Sequence, residues 1–126
     1  MNEKYLHSVI TQQIIECTFE GHRFLGCSFQ ELIYQRTLVL ELENARLSYS
    51  HEQEIPIFYK DNKEEIGTGR ADFVVENKEL VELKAIETLD HLQVVQILNY
   101  LRIYRFEVGL LINFGNTTLV FNRMLL

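Results

Sequence analysis

The sequence predicts an α/β fold, a mixed β-sheet flanked by helices in the order α-α-β-β-β-α-β-β. Three observations carry this. Apolar residues recur at helical spacing in three segments, near residues 5–20, 29–46 and 88–104. Shorter stretches between and after them alternate apolar with polar residues, as half-buried strands do. The segment "EVGLLINFG" is almost wholly apolar, as expected of a strand buried on both faces, and it follows a strand and a helix in the order of a parallel crossover. Helices packed on both sides of the sheet follow from this order.

Each element has its own signals. In the first helix Leu6, Val9, Ile10, Ile14 and Cys17 mark one face, and "GHRFLGCS" ends it. Ser28 is placed to cap the second helix, with Glu31 three residues later completing a capping-box pattern. Leu32, Leu38, Val39 and Leu42 supply that helix's apolar stripe. "HEQEIPIFYKD" alternates as a strand with Ile55, Ile57 and Tyr59 on one side, and Pro56 fits an edge position. "DNKEE" is a turn. Residues 65–75 and 80–86 form two strands joined by the tight turn "ENKE", an antiparallel hairpin. "TLDHLQVVQILNYLRIY" is a helix with Asp90 or Thr88 near its cap and Leu92, Val95, Ile97, Leu98 and Leu101 toward the core. "TTLVFNRML" forms the last strand.

A chain of 126 residues holds one domain, 1–126, with one core. Its 47% hydrophobic and 24% charged residues are those of an ordinary globular protein. There are no repeats, linkers or low-complexity segments, and the single proline marks no boundary. No apolar run approaches the roughly 18 residues of a membrane span. The start "MNEKYLHSVITQQII" lacks the features of a signal peptide, so a cytoplasmic location is expected. Cys17 and Cys27 have no CxxC spacing and read as small, partly buried apolar residues. The formal net charge of −6 argues against non-specific clamping of a polyanion. It does not exclude nucleic acid, because carboxylates gathered around a cation are neutralised by it.

The stretch "GRADFVVENKELVELKA", residues 69–85, places Asp72, Glu82 and Lys84 among apolar residues. Alternation puts Glu82 and Lys84 on one face of their strand, and the hairpin brings Asp72 nearly level with them. Two carboxylates and a lysine suit metal-assisted phosphodiester hydrolysis. Mg²⁺ takes oxygen ligands, here Asp72, Glu82 and the backbone carbonyl of Leu83. Such a cation polarises a phosphoryl oxygen and acidifies a bound water, while Lys84 orients that water or stabilises developing charge. Taken alone, the same spacing also describes a solvated strand face with ion pairs worth at most ~1 kcal/mol each. Two other features fit one site. "QILNY" sets Gln96 and Tyr100 one helical turn apart, able to contact a phosphate, although each also reads as an ordinary helix-surface residue. Glu31 can add a third carboxylate, although it also serves the capping box.

With these residues in order, the sequence resembles the PD-(D/E)xK nuclease superfamily in its RecB-like branch with a Q-x-x-x-Y motif. It is more closely similar to the small bacterial GxxExxxxY family. "FLGCSFQELIYQ", "IPIFYK", "GRADFVVENKELVELKAIETL", "QILNYL" and "VGLLINFG" carry the resemblance, from about residue 20 to the end. The resemblance implies a restriction-endonuclease-like fold. By position, Glu31, Asp72 and Glu82 match metal-binding carboxylates, Lys84 the catalytic lysine, and Gln96 and Tyr100 the Q-x-x-x-Y pair. Ser28 stands where the family has glycine.

Other chemistries find less support. His7, His22, His51 and His91 lack zinc-hydrolase spacing, and His91 alone lies near the proposed site, as a substrate contact or a capping residue. "GTGR" lacks the Lys-Ser/Thr of a phosphate-binding loop. Arg70 can contact a phosphate or pair with a neighbouring carboxylate. No serine sits in a nucleophile elbow. Two functions remain: a nuclease dependent on Mg²⁺ or Mn²⁺, acting on DNA ahead of RNA, and a non-catalytic module that binds nucleic acid or protein. Arg23, Arg36, Lys60, Lys63, Arg70, Arg102 and Arg105 are spread along the chain, and the sequence does not show whether they gather. A homodimer would let two sites share one duplex.

Overall fold

The computed structural model describes residues 6–126. Helices α1 (Ser8–Leu25) and α2 (Glu31–Asn44) precede strands β1 (Tyr49–Phe58), β2 (Glu65–Val75) and β3 (Glu79–Lys84). Helix α3 (His91–Tyr104) and strands β4 (Val108–Asn113) and β5 (Val120–Leu125) complete the chain. The five strands form one sheet in the order β1-β2-β3-β4-β5. β3 and β4 are parallel, joined through α3, and the other neighbours are antiparallel. This is the predicted mixed sheet, and the element order is as expected.

Strand alternation divides the core into two layers. On one face Phe73, Val75, Val81, Leu83, Leu110 and Ile112 pack with Ile14 and Cys17 of α1 and Tyr34, Leu38 and Leu42 of α2. On the other, Val74, Leu80, Leu111 and Met124 pack with Ile97, Leu101 and Tyr104 of α3. Every residue of β4 is buried, as its unbroken apolar run predicts. Pro56 lies in edge strand β1, where a missing N–H is tolerated. Among the described residues no helix is long and apolar enough to cross a membrane.

The helix boundaries differ from expectation for identifiable reasons. The expected start of α1 at residue 5 lies outside the described residues. The helix continues through Gly21 to Leu25 rather than ending near residue 20. Gly21 acts here as a contact: a Cβ there would lie 2.8 Å from Thr37 Cγ2 on α2. Gly26, at φ 77°, ends the helix instead. The capping box at Ser28 does not form, because α2 begins at Glu31 with Gln30 at its cap and no side-chain cap bond. The Tyr34 hydroxyl organises this loop, donating to Gly26 O at 2.6 Å and accepting from Phe29 N at 3.2 Å. Val9, Leu32 and Leu92, expected on core faces, are exposed. At α3, Asp90 is the cap, and Gln93 completes its capping box.

One irregularity positions the site. Tyr49 packs in the α1–α2 layer, while Ile55 and Ile57, of the same parity, pack in the α3 layer. Alternation alone would keep all three on one face. The switch coincides with Glu52, whose φ of 54° is left-handed and which lies between the paired positions His51↔Phe73 and Gln53↔Ala71. Asp72 is the residue of β2 at that same switch.

Candidate active site

The β2–β3 register pairs Phe73 with Val81, so the next step along the hairpin sets Asp72 beside Glu82. There the carboxylates take over from backbone pairing. Leu83 N donates to Asp72 Oδ2 at 2.8 Å, and Asp72 N donates to Glu82 Oε1 at 3.4 Å. Both side chains are half-buried. Burial, and then the charge of Asp72, pushes the Glu82 carboxyl far above the ordinary carboxylate range, against the weaker pull of Lys84. Glu31, half-buried at the start of α2, is shifted upward by burial and by Asp72, with Lys84 and a hydrogen bond from Gln35 opposing. The three carboxylates and the lysine therefore share one electrostatic neighbourhood.

Lys84 ends β3 opposite Asn113 of β4. The backbone there is tightly held. Lys84 O accepts from Phe114 N at 2.8 Å, and the Asn113 side chain bonds Ile86 N, Ile86 O and Gly115 N at 2.9–3.1 Å. A Cβ on Gly115 would fall 1.9 Å from Ile86 O, so only glycine allows this approach. The lysine side chain has no ion-pair partner among the described residues and lines a cleft of about 400 Å³ with Gln96, Asn99 and Tyr100 of α3. Gln96 Nε2 donates to Tyr100 Oη at 2.9 Å. Arg70 points elsewhere, to Glu54 at 3.6 Å in an exposed pair. His91 opens α3 and is exposed.

Other residues join the site without a sequence signal that singled them out. Buried Gln35 donates through Nε2 to Glu31 Oε1 at 3.3 Å, and its Oε1 lies 3.3 Å from His51 Nε2. The His51 ring stacks on Phe73, with centroids 4.5 Å apart. A histidine N–H directed at the Gln35 oxygen fixes the amide so that its NH₂ faces the carboxylate. The i,i+4 spacing of Glu31 and Gln35 was visible in the sequence, but the partnership with His51 needed the fold. Tyr104 stacks on Tyr100 at 5.2 Å. Its buried hydroxyl has no hydrogen-bond partner among the described residues and lies where a Cβ on Gly69 would fall, 1.5 Å away.

The oxygen-rich donor set fits a hard divalent cation in kind. Carboxylates whose charge is disfavoured by burial and by one another are what such a cation relieves. In the present arrangement, however, Asp72 and Glu82 oxygens are engaged with backbone N–H groups. No group of three His, Cys, Asp or Glu side chains is arranged to hold a metal among the described residues.

A family model described as the PD-(D/E)XK nuclease superfamily matches residues 8–124. No curated protein and no solved structure matches the chain.

Proposed function

The chain belongs to the PD-(D/E)XK nuclease superfamily, and on that premise we propose that its β2–β3 hairpin is a divalent-metal-dependent phosphodiesterase centre in a single domain spanning residues 1–126. Nucleases of this superfamily generally use divalent metals and act on nucleic acid. The proposed metal is Mg²⁺ or Mn²⁺, and the proposed substrate is DNA ahead of RNA. The resemblance to the GxxExxxxY family, with Gln96 and Tyr100 as its Q-x-x-x-Y pair, supports the same reading.

The observation that carries it is the half-buried meeting of Asp72 and Glu82, with Lys84 two residues on, facing an open cleft. Asp72, Glu82, the Leu83 carbonyl and Glu31 would hold the cation. When bound, it supplies Lewis acidity toward a phosphoryl oxygen and acidifies water. Lys84, with no ion-pair partner among the described residues, orients the attacking water or stabilises charge on the phosphoryl oxygens. Gln96 and Tyr100 line the same cleft and offer an amide and a hydroxyl to a phosphate. Arg70 can reach a phosphate only by exchanging its exposed Glu54 partner, a pair worth little to break.

A second reading, a non-catalytic binding module that keeps the fold, is favoured by one observation: the carboxylates are bonded to backbone amides rather than assembled as a ligand group. Cleavage of labelled single-stranded, duplex and branched DNA and RNA with Mg²⁺ or Mn²⁺ separates the two. We expect metal-dependent cleavage that falls at least ~100-fold in Glu82→Ala and in Lys84→Ala. Absence of cleavage across the set, with no metal binding by calorimetry, would leave the binding module as the function.

A further inference from the structure

The fold brings Arg105, at the end of α3, beside Lys60 and Lys63 of the β1–β2 turn. β1 and β2 extend beyond the sheet as a long hairpin, paired out to Phe58↔Glu65. Its turn is internally tied, with Asn62 N donating to Tyr59 O at 3.1 Å and Glu64 N to Asn62 Oδ1 at 2.9 Å. Between this turn and the end of α3 run two adjoining clefts. One, of about 350 Å³, includes Pro56, Phe58, Lys60, Tyr104 and Arg105 in its lining. The other, of about 380 Å³, is lined by Phe58, Lys60, Asp61, Asn62, Lys63 and Arg105. Phe58, Lys60 and Arg105 belong to both, so the clefts form one path.

Lys60, Lys63 and Arg105 thus meet against a single lining carboxylate, Asp61, in a chain whose formal net charge is −6. None of the three has an ion-pair partner among the described residues, whereas Arg23 and Arg70 do. The C-terminus of α3 offers only about half a negative charge, too little to explain three cations. The path is also aromatic. Phe58, in the lining of both clefts, is about half exposed; Tyr59, next to it but outside either lining, is also exposed, and Lys60 Nζ sits 5.1 Å from its ring centre. At its inner end Tyr104 stacks on Tyr100, whose hydroxyl is bonded to Gln96 in the Lys84 cleft.

We propose that this path is the track for a single-stranded nucleic acid, with Lys60, Lys63 and Arg105 on its phosphates and Phe58 and Tyr59 under its unpaired bases. Exposed rings can stack on bases only where those bases are unpaired, and cations beside them follow a flexible backbone. The direction of the track, toward Lys84, rests on the nuclease reading; binding along it does not.

The test is fluorescence anisotropy of the full chain with a labelled strand of roughly a dozen nucleotides, in EDTA so that cleavage is held off. Lys60→Gln/Lys63→Gln/Arg105→Gln should weaken binding at least ~10-fold and reduce the salt slope by about 2, at ~0.7 per phosphate contact. Phe58→Ala should weaken it roughly 5- to 100-fold. The control Arg36→Gln/Arg46→Gln/Lys78→Gln, with the same charge change elsewhere, should leave both quantities near wild type. Equal losses in the control, unchanged binding in the triple variant, or no binding by the wild type would overturn the track. Tighter binding of the matching duplex would overturn its assignment to single strands. Cleavage by a wild type that fails these tests would leave the nuclease reading standing, and binding without cleavage would do the reverse.

Discussion

Glu82 is placed where both burial and the Asp72 carboxylate oppose its charge, so its pKa in the folded chain lies above the ordinary 4.5. The sign of the consequence is fixed. Above pH 4.5 the unfolded chain has released this proton while the native state still holds it, so stability falls as pH rises until the native group ionises. Glu79 acts in the same direction over a narrower range. It is fully buried on the other face of β3, bonded to Thr11 Oγ1 at 2.7 Å, and burial pushes its carboxyl up to about 7. In EDTA, urea unfolding should therefore give a native state that weakens from acid to mildly alkaline pH. Glu82→Gln should be more stable than wild type at alkaline pH, by ~1 kcal/mol or more, with a flatter profile. A wild-type stability that climbed over this range would contradict the placement of Glu82.

At the scale of elements, the seat of α3 on the β1–β2 hairpin decides where Tyr100 and Gln96 stand. The contact is tightest at Gly69, where any side chain would collide with the Tyr104 ring and hydroxyl. Gly69→Ala should destabilise the fold by ~1–3 kcal/mol through overpacking. Tyr104→Phe removes a buried hydroxyl that has no hydrogen-bond partner among the described residues and should cost less than ~1 kcal/mol or stabilise. Urea unfolding of both variants checks this, and a harmless Gly69→Ala would mean that the hairpin is free to lift. This contact also marks the limit of what the sequence discloses. The β2–β3 hairpin was legible because its alternation is local and its turn is short, although β3 runs Glu79–Lys84 rather than 80–86. The α3 cap was legible only to within Asp90 or Thr88, and Asp90 is the one that caps. Gly21 and Gly69 were not, since each answers to a residue far along the chain, Thr37 and Tyr104. Ser28 had the right spacing for a cap, but the Tyr34 hydroxyl organises that loop. The His51–Gln35–Glu31 chain joins β1 to α2, and no periodicity within either element encodes it.

For the molecule as a whole, the acidic balance and the upward-shifted carboxylates make proton release part of any cation binding at this site. A cation binds the ionised form, so the proton held by Glu82 must leave first, and burial and Asp72 oppose ionisation of Glu31 in the same direction. Apparent affinity should therefore rise with pH, because more of the site is already ionised. A ligand that binds only the native state stabilises it by RT ln(1 + [L]/Kd), ~2.7 kcal/mol at a hundredfold excess over Kd. The increase in Tm on adding a fixed concentration of Mn²⁺ should accordingly be larger near pH 8.5 than near pH 6. Calorimetric titrations in two buffers of different ionisation enthalpy should report release of about one proton per cation. Glu82→Gln should lose both the pH dependence and most of the proton release, with its metal-free fold intact. A Tm shift that is the same at both pH values in the wild type would place the cation away from Glu82, and the hairpin carboxylates would then serve the backbone bonds they make rather than a metal centre.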